Sequence, residues 1–396
     1  MMNIDGYAEE IRDRMVRFLC DMIKIPSVSC RETGVVARIA HEMRQVNFDD
    51  VRIDAFGNVI GRIGSGPRVL AYDAHVDTVD VGNRDRWTFD PFIGDTDSGF
   101  VRGRGASDQE GGMASLVYAG YLMKKYDLLP RDVTLLIVGS VSEEDCDGLC
   151  WRYIIEKEKI RPEMVLITEP TECRLYRGQR GRMEMTATMP GISAHGSAPE
   201  RGRNAVIAMA PIIRGIDNLG AALRNDPFLG RGSVTISQIR STAPSLCSVA
   251  DSCEIYLDRR LTWGETPEHA LNEIRGLDPT GQLAVQAAMY DTPTHTGYVY
   301  PVEKIFPAWK TPEDHLTVEA GIATHHALFG KPPEVGRWTF STNGVSIAGL
   351  HGIPCVGYGP GREEWAHAPD EMCAIDQLVT AALFYASYAA RYVTLS

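Results

Sequence analysis

Three short apolar runs in this chain each lead into residues able to hold a metal ion or a proton. Val69-Leu70-Ala71-Tyr72 runs into Asp73-Ala74-His75, Val133-Thr134-Leu135-Leu136-Ile137-Val138 into Ser142-Glu143-Glu144-Asp145, and Met164-Val165-Leu166-Ile167 into Thr168-Glu169-Pro170. Runs of this length without polar alternation read as strands buried on both faces, which occur in parallel sheets covered by helices. Met113, Leu116, Val117, Gly120 and Met123 have helical spacing and follow Gly111-Gly112. The expectation is an α/β, three-layer domain with a central mixed, mostly parallel sheet. Ligands of such sheets bind beyond the carboxyl ends of the strands, so His75, Glu143, Glu144 and Glu169 should converge on one crevice.

Elsewhere, Ile11, Met15, Phe18, Leu19 and Met22 form one face of a helix that starts near Tyr7 and is closed by Pro26. A second helix is predicted over 35–46 and strands over 51–53 and 58–62. From Arg182 the texture changes, because Met183-Glu184-Met185-Thr186-Ala187-Thr188 alternates at period two, as in a half-exposed strand. A helix over 204–219, strands over 233–239 and 253–257, and a helix after Thr266-Pro267-Glu268 complete a small α+β unit. The domains are therefore expected at 1–181 with 293–396, catalytic and discontinuous, and at 182–292, inserted. A helix over 376–393 should pack on the main sheet.

Lys and Arg total 40 against 52 Asp and Glu, a net charge of −12. That surplus argues against nucleic acid or an anionic membrane as partner, since both need a positive field. No stretch approaches eighteen uninterrupted apolar residues, and the first residues lack an apolar leader core. Nine scattered cysteines without a CxxC pair suit a reducing compartment. The expectation is a soluble cytoplasmic protein with no membrane contact.

Two further candidates lie in loops: Asp108 in Gly103-Arg104-Gly105-Ala106-Ser107-Asp108, and His367 in Trp365-Ala366-His367-Ala368-Pro369-Asp370. Two histidines and three carboxylates, with a fourth to spare, suit a pair of zinc ions. His75 and Asp77 leave an extended backbone on the same side, so Asp77 could orient the imidazole. Glu143 and Glu144 can serve one site only if their strand has already ended; one would ligate and the other act as base. Each residue alone also has a plainer explanation: a strand-end His–Asp pair, a solvated acidic loop, or a helix N-cap at Asp108. A dinucleotide loop is disfavoured, because Asp108 stands where its third glycine should be and would repel pyrophosphate. Cys146 and Cys150 would share one helix face as small buried hydrophobes.

Taken together, Ala74-His75-Val76-Asp77, Gly105-Ala106-Ser107-Asp108, Glu143-Glu144, Thr168-Glu169-Pro170, Ser193-Ala194-His195-Gly196 and Ala366-His367-Ala368-Pro369-Asp370-Glu371 resemble, in order, the dizinc aminoacylase and carboxypeptidase family. It includes acetylornithine deacetylase, succinyl-diaminopimelate desuccinylase and glutamate carboxypeptidase. Ser107-Asp108-Gln109-Glu110-Gly111-Gly112 and Glu144-Asp145-Cys146-Asp147-Gly148-Leu149-Cys150-Trp151 are most similar to its selenium-metabolism-linked hydrolase branch. The resemblance implies that Asp108 bridges two divalent ions, with His75 and Glu169 completing one site and Glu144 and His367 the other. Zinc is the expected metal, with cobalt or manganese compatible. Glu143 would be the general base and Asp77 the residue orienting His75. His195 would reach the active site of a second copy in a homodimer joined through the inserted lid domain. Arg260, in Asp258-Arg259-Arg260, would clamp a substrate carboxylate. Asn343 and Gly344, in Ser341-Thr342-Asn343-Gly344, would line the substrate loop.

The implied reaction is hydrolysis of the amide bond of an N-acyl amino acid or small peptide with a free carboxylate, by a metal-bridging hydroxide. A dimetal aminopeptidase or dipeptidase, which would read the substrate amine, is the rival enzyme. A metal-binding scaffold without turnover would have no use for Glu143. Gln109-Glu110 departs from the family's usual apolar-Lys pair, and Ala243-Pro244-Ser245-Leu246-Cys247 lacks a substrate-contacting Asn.

Overall fold

The structure is a computed structural model that describes residues 4–396. Its main sheet has eight strands in the order Asp50–Ile53, Val59–Gly64, Val133–Ser140, Arg68–His75, Val165–Ile167, Cys355–Gly357, Leu175–Tyr176 and Val335–Gly336. Pairing is parallel through the centre, where the three apolar runs lie side by side with Cys355–Gly357, and antiparallel pairings occur on both sides. The sheet is thus mixed, as expected.

Strand alternation explains the layers. Tyr72 points to one face, where its hydroxyl donates to the Tyr385 carbonyl of helix Ile375–Leu395. Asp73 points to the other, where it accepts from the Asn343 side chain at 2.8 Å. Helices Ile4–Ile23, Glu110–Tyr126 and Ile375–Leu395 pack together on the first face. Helix Leu149–Glu156 packs on the turn at Val345–Leu350 on the second. Cys150 of that helix is buried with its Sγ 3.1 Å from Asn343 Oδ1, and Cys146 is buried just ahead of it, so both serve packing.

Helix Glu110–Tyr126 approaches the sheet closely because Gly112 has no side chain. A Cβ there would stand 2.3 Å from Thr168 Oγ1 and 3.0 Å from the Thr168 carbonyl oxygen. Gly112→Ala should therefore displace the Thr168-Glu169 turn. We expect it to cost about 1–3 kcal/mol of stability and to lower metal content, both readable by thermal melting and metal analysis. Gly220→Ala, at a helical position with nothing within 4 Å, should do neither.

The inserted unit has its own apolar core, built on a second sheet with strand order Ser233–Thr242, Ser252–Leu261, Gly181–Pro190 and Ala284–Ala287. Met183, Met185, Ala187 and Met189 alternate inward from Gly181–Pro190, as do Cys253, Ile255 and Leu257 from the neighbouring strand. Ile305–Phe306 also pairs with Gly181–Pro190, so the small sheet recruits a strand from beyond residue 292. By then the chain has already touched the larger unit, where Thr296 donates to the Ala55 carbonyl.

Among the described residues one helix, Ala205–Ala222, is long and apolar enough to cross a membrane by length and composition, although Arg214 and Asp217 interrupt its apolar residues. Ala205, Met209, Ile212 and Ile216 face its own sheet, while Val206 and Ile207 are exposed.

Candidate active site

Three of the metal-ligand type residues sit at or just beyond the end of a strand, and Asp108 and His367 come from loops. His75 is the last residue of Arg68–His75, and Glu169 stands two residues past Val165–Ile167. The strand before Glu143 ends at Ser140, and Ser142 adopts a left-handed φ of 59°, which turns both following glutamates into the crevice. Asp108 precedes helix Glu110–Tyr126, but the N-cap position belongs to Gln109, so the Asp108 carboxylate is free to face the site.

Among the described residues two groups of side chains come close enough to hold a metal ion: His75, Asp108 and Glu169, and Asp108, Glu144 and His367. Asp108 belongs to both. Its Oδ1 lies 3.0 Å from His75 Nε2 and its Oδ2 lies 3.4 Å from His367 Nε2. His75 Nε2 is 3.6 Å from Glu169, and His367 Nε2 is 2.9 Å from Glu144. The groups line a cavity of about 360 Å³ with Glu143, Asp147, Arg182, Arg260, Phe340, Ser341 and Glu363.

Six carboxylates line this small space, and the four at the ligand groups, Asp108, Glu143, Glu144 and Glu169, demand compensation. Burial pushes the Glu143 and Glu169 carboxyls well above their usual range. Burial and the Asp108 charge push Glu144 up to about 7. Burial opposes the charge on Asp108, yet bonds from His367 and His75 hold its carboxyl below the usual range. Bonds to Asp108 and Glu144 raise His367 to about 10. Glu169 Oε2 and Glu143 Oε1 are buried without a hydrogen-bond partner. Nitrogen and oxygen donors with this excess of negative charge fit divalent cations.

The supporting contacts correct two expectations. Asp77 does not orient His75 through its carboxylate: His75 Nδ1 is 2.9 Å from the Asp77 backbone oxygen and 3.7 Å from Oδ1. The carboxylate instead accepts the backbone N–H groups of Glu143 and Glu144, each at 3.0 Å, and the Ser29 hydroxyl at 2.6 Å. The strand end is close enough for Asp77 to reach across to the turn, which residue spacing alone does not reveal. Asp77→Ala would leave the buried Glu143 N–H and the part-buried Glu144 N–H unpaired, at about 1–3 kcal/mol for the buried one. We expect lower thermal stability together with reduced metal content.

Asn343 and Gly344 do not line the cavity. The Asn343 amide donates to Asp73 and Ser140, and its oxygen accepts the Gly148 N–H at 3.0 Å. A Cβ on Gly344 would strike the Trp309 ring. Both residues therefore pack the sheet layer, and Phe340 and Ser341 of the same segment meet the cavity instead.

Sequence reasoning assigned no role to Glu371, which is buried and accepts the N–H groups of Ser107 and Asp108 at 2.9 Å while pairing with buried Arg104. It also passed over Arg182. The period-two alternation that sends Met183 inward places Arg182 and Glu184 on the opposite face, directly across from Arg260 and Asp258. The same alternation buries Arg259 against Glu265 and Glu273 and turns Arg260 to the cavity. His195 is exposed, its Nδ1 2.8 Å from Ser197 Oγ, and it does not line the cavity of its own chain.

The model of peptidase family M20/M25/M40 matches residues 71–391. The chain belongs to this family. Over 382 residues it is 55% identical to the uncharacterized protein YgeY of Escherichia coli (strain K12), covering 96% of this chain and 94% of that one. A probable succinyl-diaminopimelate desuccinylase of Staphylococcus epidermidis is 32% identical over 196 residues, 48% of each chain. The fold matches the M20 family metallo-carboxypeptidase Sso-CP2 of Sulfolobus solfataricus with a TM-score of 0.73 at 16% identity, covering 96% of this chain and 99% of the other. An M20 peptidase fold thus carries the paired ligand groups, and the shared Asp108 stands between them.

Proposed function

We propose that the chain hydrolyses the amide bond of an N-acyl amino acid or small peptide bearing a free carboxylate. The observation that carries this is Glu143: a buried carboxylate with one unpartnered oxygen, outside both ligand groups and lining the cavity they share. Zinc ions, or cobalt or manganese, held by His75, Asp108 and Glu169 and by Asp108, Glu144 and His367, would supply Lewis acidity and acidify water when bound. Glu143 would take a proton from the attacking water at Oε1 and return it to the leaving amine. Water is thereby added across the C–N bond, giving a carboxylic acid and an amine. Arg260 is bound by Asp258 through Nε and Nη2, which leaves its Nη1 side for a substrate carboxylate. The desuccinylase relative, which by its name removes an acyl group, supports the acyl-amino acid reading.

His195 would act across a homodimer. The ten-residue strand Ser233–Thr242 is the edge of the small sheet and is largely exposed, and unpaired edges invite a second strand. Ile192, Ile207, Ile239 and Leu246 are all exposed on this same inserted unit. A second copy pairing edge to edge under a two-fold axis would cover them. On this reading the apolar outer face of Ala205–Ala222 would meet protein in a soluble, cytoplasmic dimer and not a membrane.

The test is a screen of N-acyl amino acids and dipeptides for released amine, before and after removal of metal by a chelator. Turnover of at least one carboxylate-bearing amide, abolished by chelation and restored by zinc, cobalt or manganese, is expected. Turnover only of amides lacking a carboxylate would overturn the substrate assignment.

A further inference from the structure

Four successive backbone N–H groups carry the chain from its strand end to the proposed base and the ligand beside it. Each is taken by a buried side chain from another segment. Val141 donates to Asn58 Oδ1 at 3.2 Å, Ser142 to Glu32 Oε1 at 2.9 Å, and Glu143 and Glu144 to the two oxygens of Asp77 at 3.0 Å. Buried N–H groups in folded chains are nearly always paired, but mostly by other backbone. In this turn side chains replace the ladder, so its path is set by where those side chains stand.

Glu32 is the member with no other evident task. It occupies the N-cap position of helix Thr33–Gln45, yet its side chain caps no N–H of that helix. Fully buried, it reaches Ser142 across 110 positions and also accepts the Cys30 N–H at 3.0 Å. Burial and the Asp77 charge push its carboxyl up to about 8, which favours at neutral pH the protonated form that an amide resembles. Ser142 needs such a hold, because its φ of 59° is a left-handed conformation that residues with a side chain keep only when their surroundings enforce it. The two glutamates that follow depend on this turn unequally. Glu144 is fixed a second time by its side chain, 2.9 Å from His367. Glu143 Oε1 has no partner, so its aim is set by the backbone. Glu32 itself does not line the cavity.

We propose that Glu32 is a positioning residue for the hydrolysis: by holding the Ser142 N–H it keeps the turn left-handed and aims Glu143, without touching substrate or metal. The inference rests on the amide hydrolase reading, in which Glu143 is the base. It separates the parts of the turn: Asp77 secures the glutamates' own N–H groups, and Glu32 secures the residue whose conformation directs them.

The test compares Glu32→Met, which fills the same space without an acceptor, with Glu32→Gln, which keeps an oxygen for the Ser142 and Cys30 N–H groups. Val36→Ala, a buried apolar truncation on the same helix, controls for lost stability alone. Two readouts are taken on metal-loaded chains: crystal structures, and kcat and KM for whichever amide the wild type hydrolyses. In Glu32→Met, Ser142 should leave the left-handed region and the Glu143 carboxylate should move by about 1 Å or more, with both ions in place. Such a displacement should lower kcat about tenfold to a hundredfold and leave KM within about twofold. Glu32→Gln should keep the wild-type turn and a kcat within about threefold of wild type. Val36→Ala should lower the Tm and change neither readout. An unmoved turn or unchanged kcat in Glu32→Met, loss of metal, a defect confined to KM, or equal impairment in Glu32→Gln or Val36→Ala would overturn the proposal. So would failure of both Glu32→Met and Glu32→Ala to fold, which would make Glu32 a residue of stability alone. A wild type that hydrolyses no amide would count against the hydrolase reading instead, and the position of Glu143 in the crystal structures would still decide the role of Glu32.

Discussion

Glu143→Gln is expected to keep its fold and its metals while losing about 10²–10⁴ in turnover, the usual contribution of a positioned acid–base group. Glu143 lies in neither ligand group, so the amide should not empty the metal sites. Its backbone N–H stays bound to Asp77 whatever the side chain, so the turn that presents Glu144 should also survive. Burial in the intact site favours the protonated form, which is what a group must adopt after accepting a proton from water. Turnover near the wild-type level would remove Glu143 as the base. Loss of metal along with activity would make it a ligand.

The second large effect is gained by mixing two inactive chains. His195→Ala and Glu143→Gln should each be nearly silent as homodimers. After subunit exchange at equal amounts, about half of the dimers are mixed under random assortment, and each has one site with both Glu143 and an opposing His195. Activity should rise to about a quarter of wild type. The geometry behind this is that His195 is exposed on the inserted unit and absent from its own chain's cavity, while the neighbouring edge strand is open. Silence after proven exchange would place His195 outside catalysis, as would normal turnover of His195→Ala alone.

Of the candidate metal ligands, His75, Glu144 and Glu169 were legible because each follows a strand whose apolar run needs no tertiary knowledge to recognise, and because strand ends in open α/β sheets converge; Asp108 and His367 lie in loops and stood out by residue type alone. What escaped notice depends on contacts between segments far apart in the chain. Asp77 binds the backbone of residues 66 and 67 positions away, and Asn343 binds Asp73 across 270. A polar residue in a glycine-containing segment looks like a substrate contact until its partners are seen. Helix Leu316–Phe329 had no visible stripe because its buried positions include Thr317, Gly321, Thr324 and His325 alongside Val318 and Ala320. Ala284–Ala287 and Ile305–Phe306 are short strands whose pairing, not composition, defines them. Arg182 was within reach: the alternation recognised at Met183 and Met185 already put it on the face opposite the core.

Metal stoichiometry joined to activity bears most directly on the proposed two-metal site. Purified wild-type chain should carry close to two divalent ions, lose hydrolysis on exhaustive chelation and regain it with zinc. Asp108→Ala, which removes the one carboxylate common to both ligand groups, should retain neither ion firmly. Hydrolysis that persists after complete metal removal would contradict the assignment.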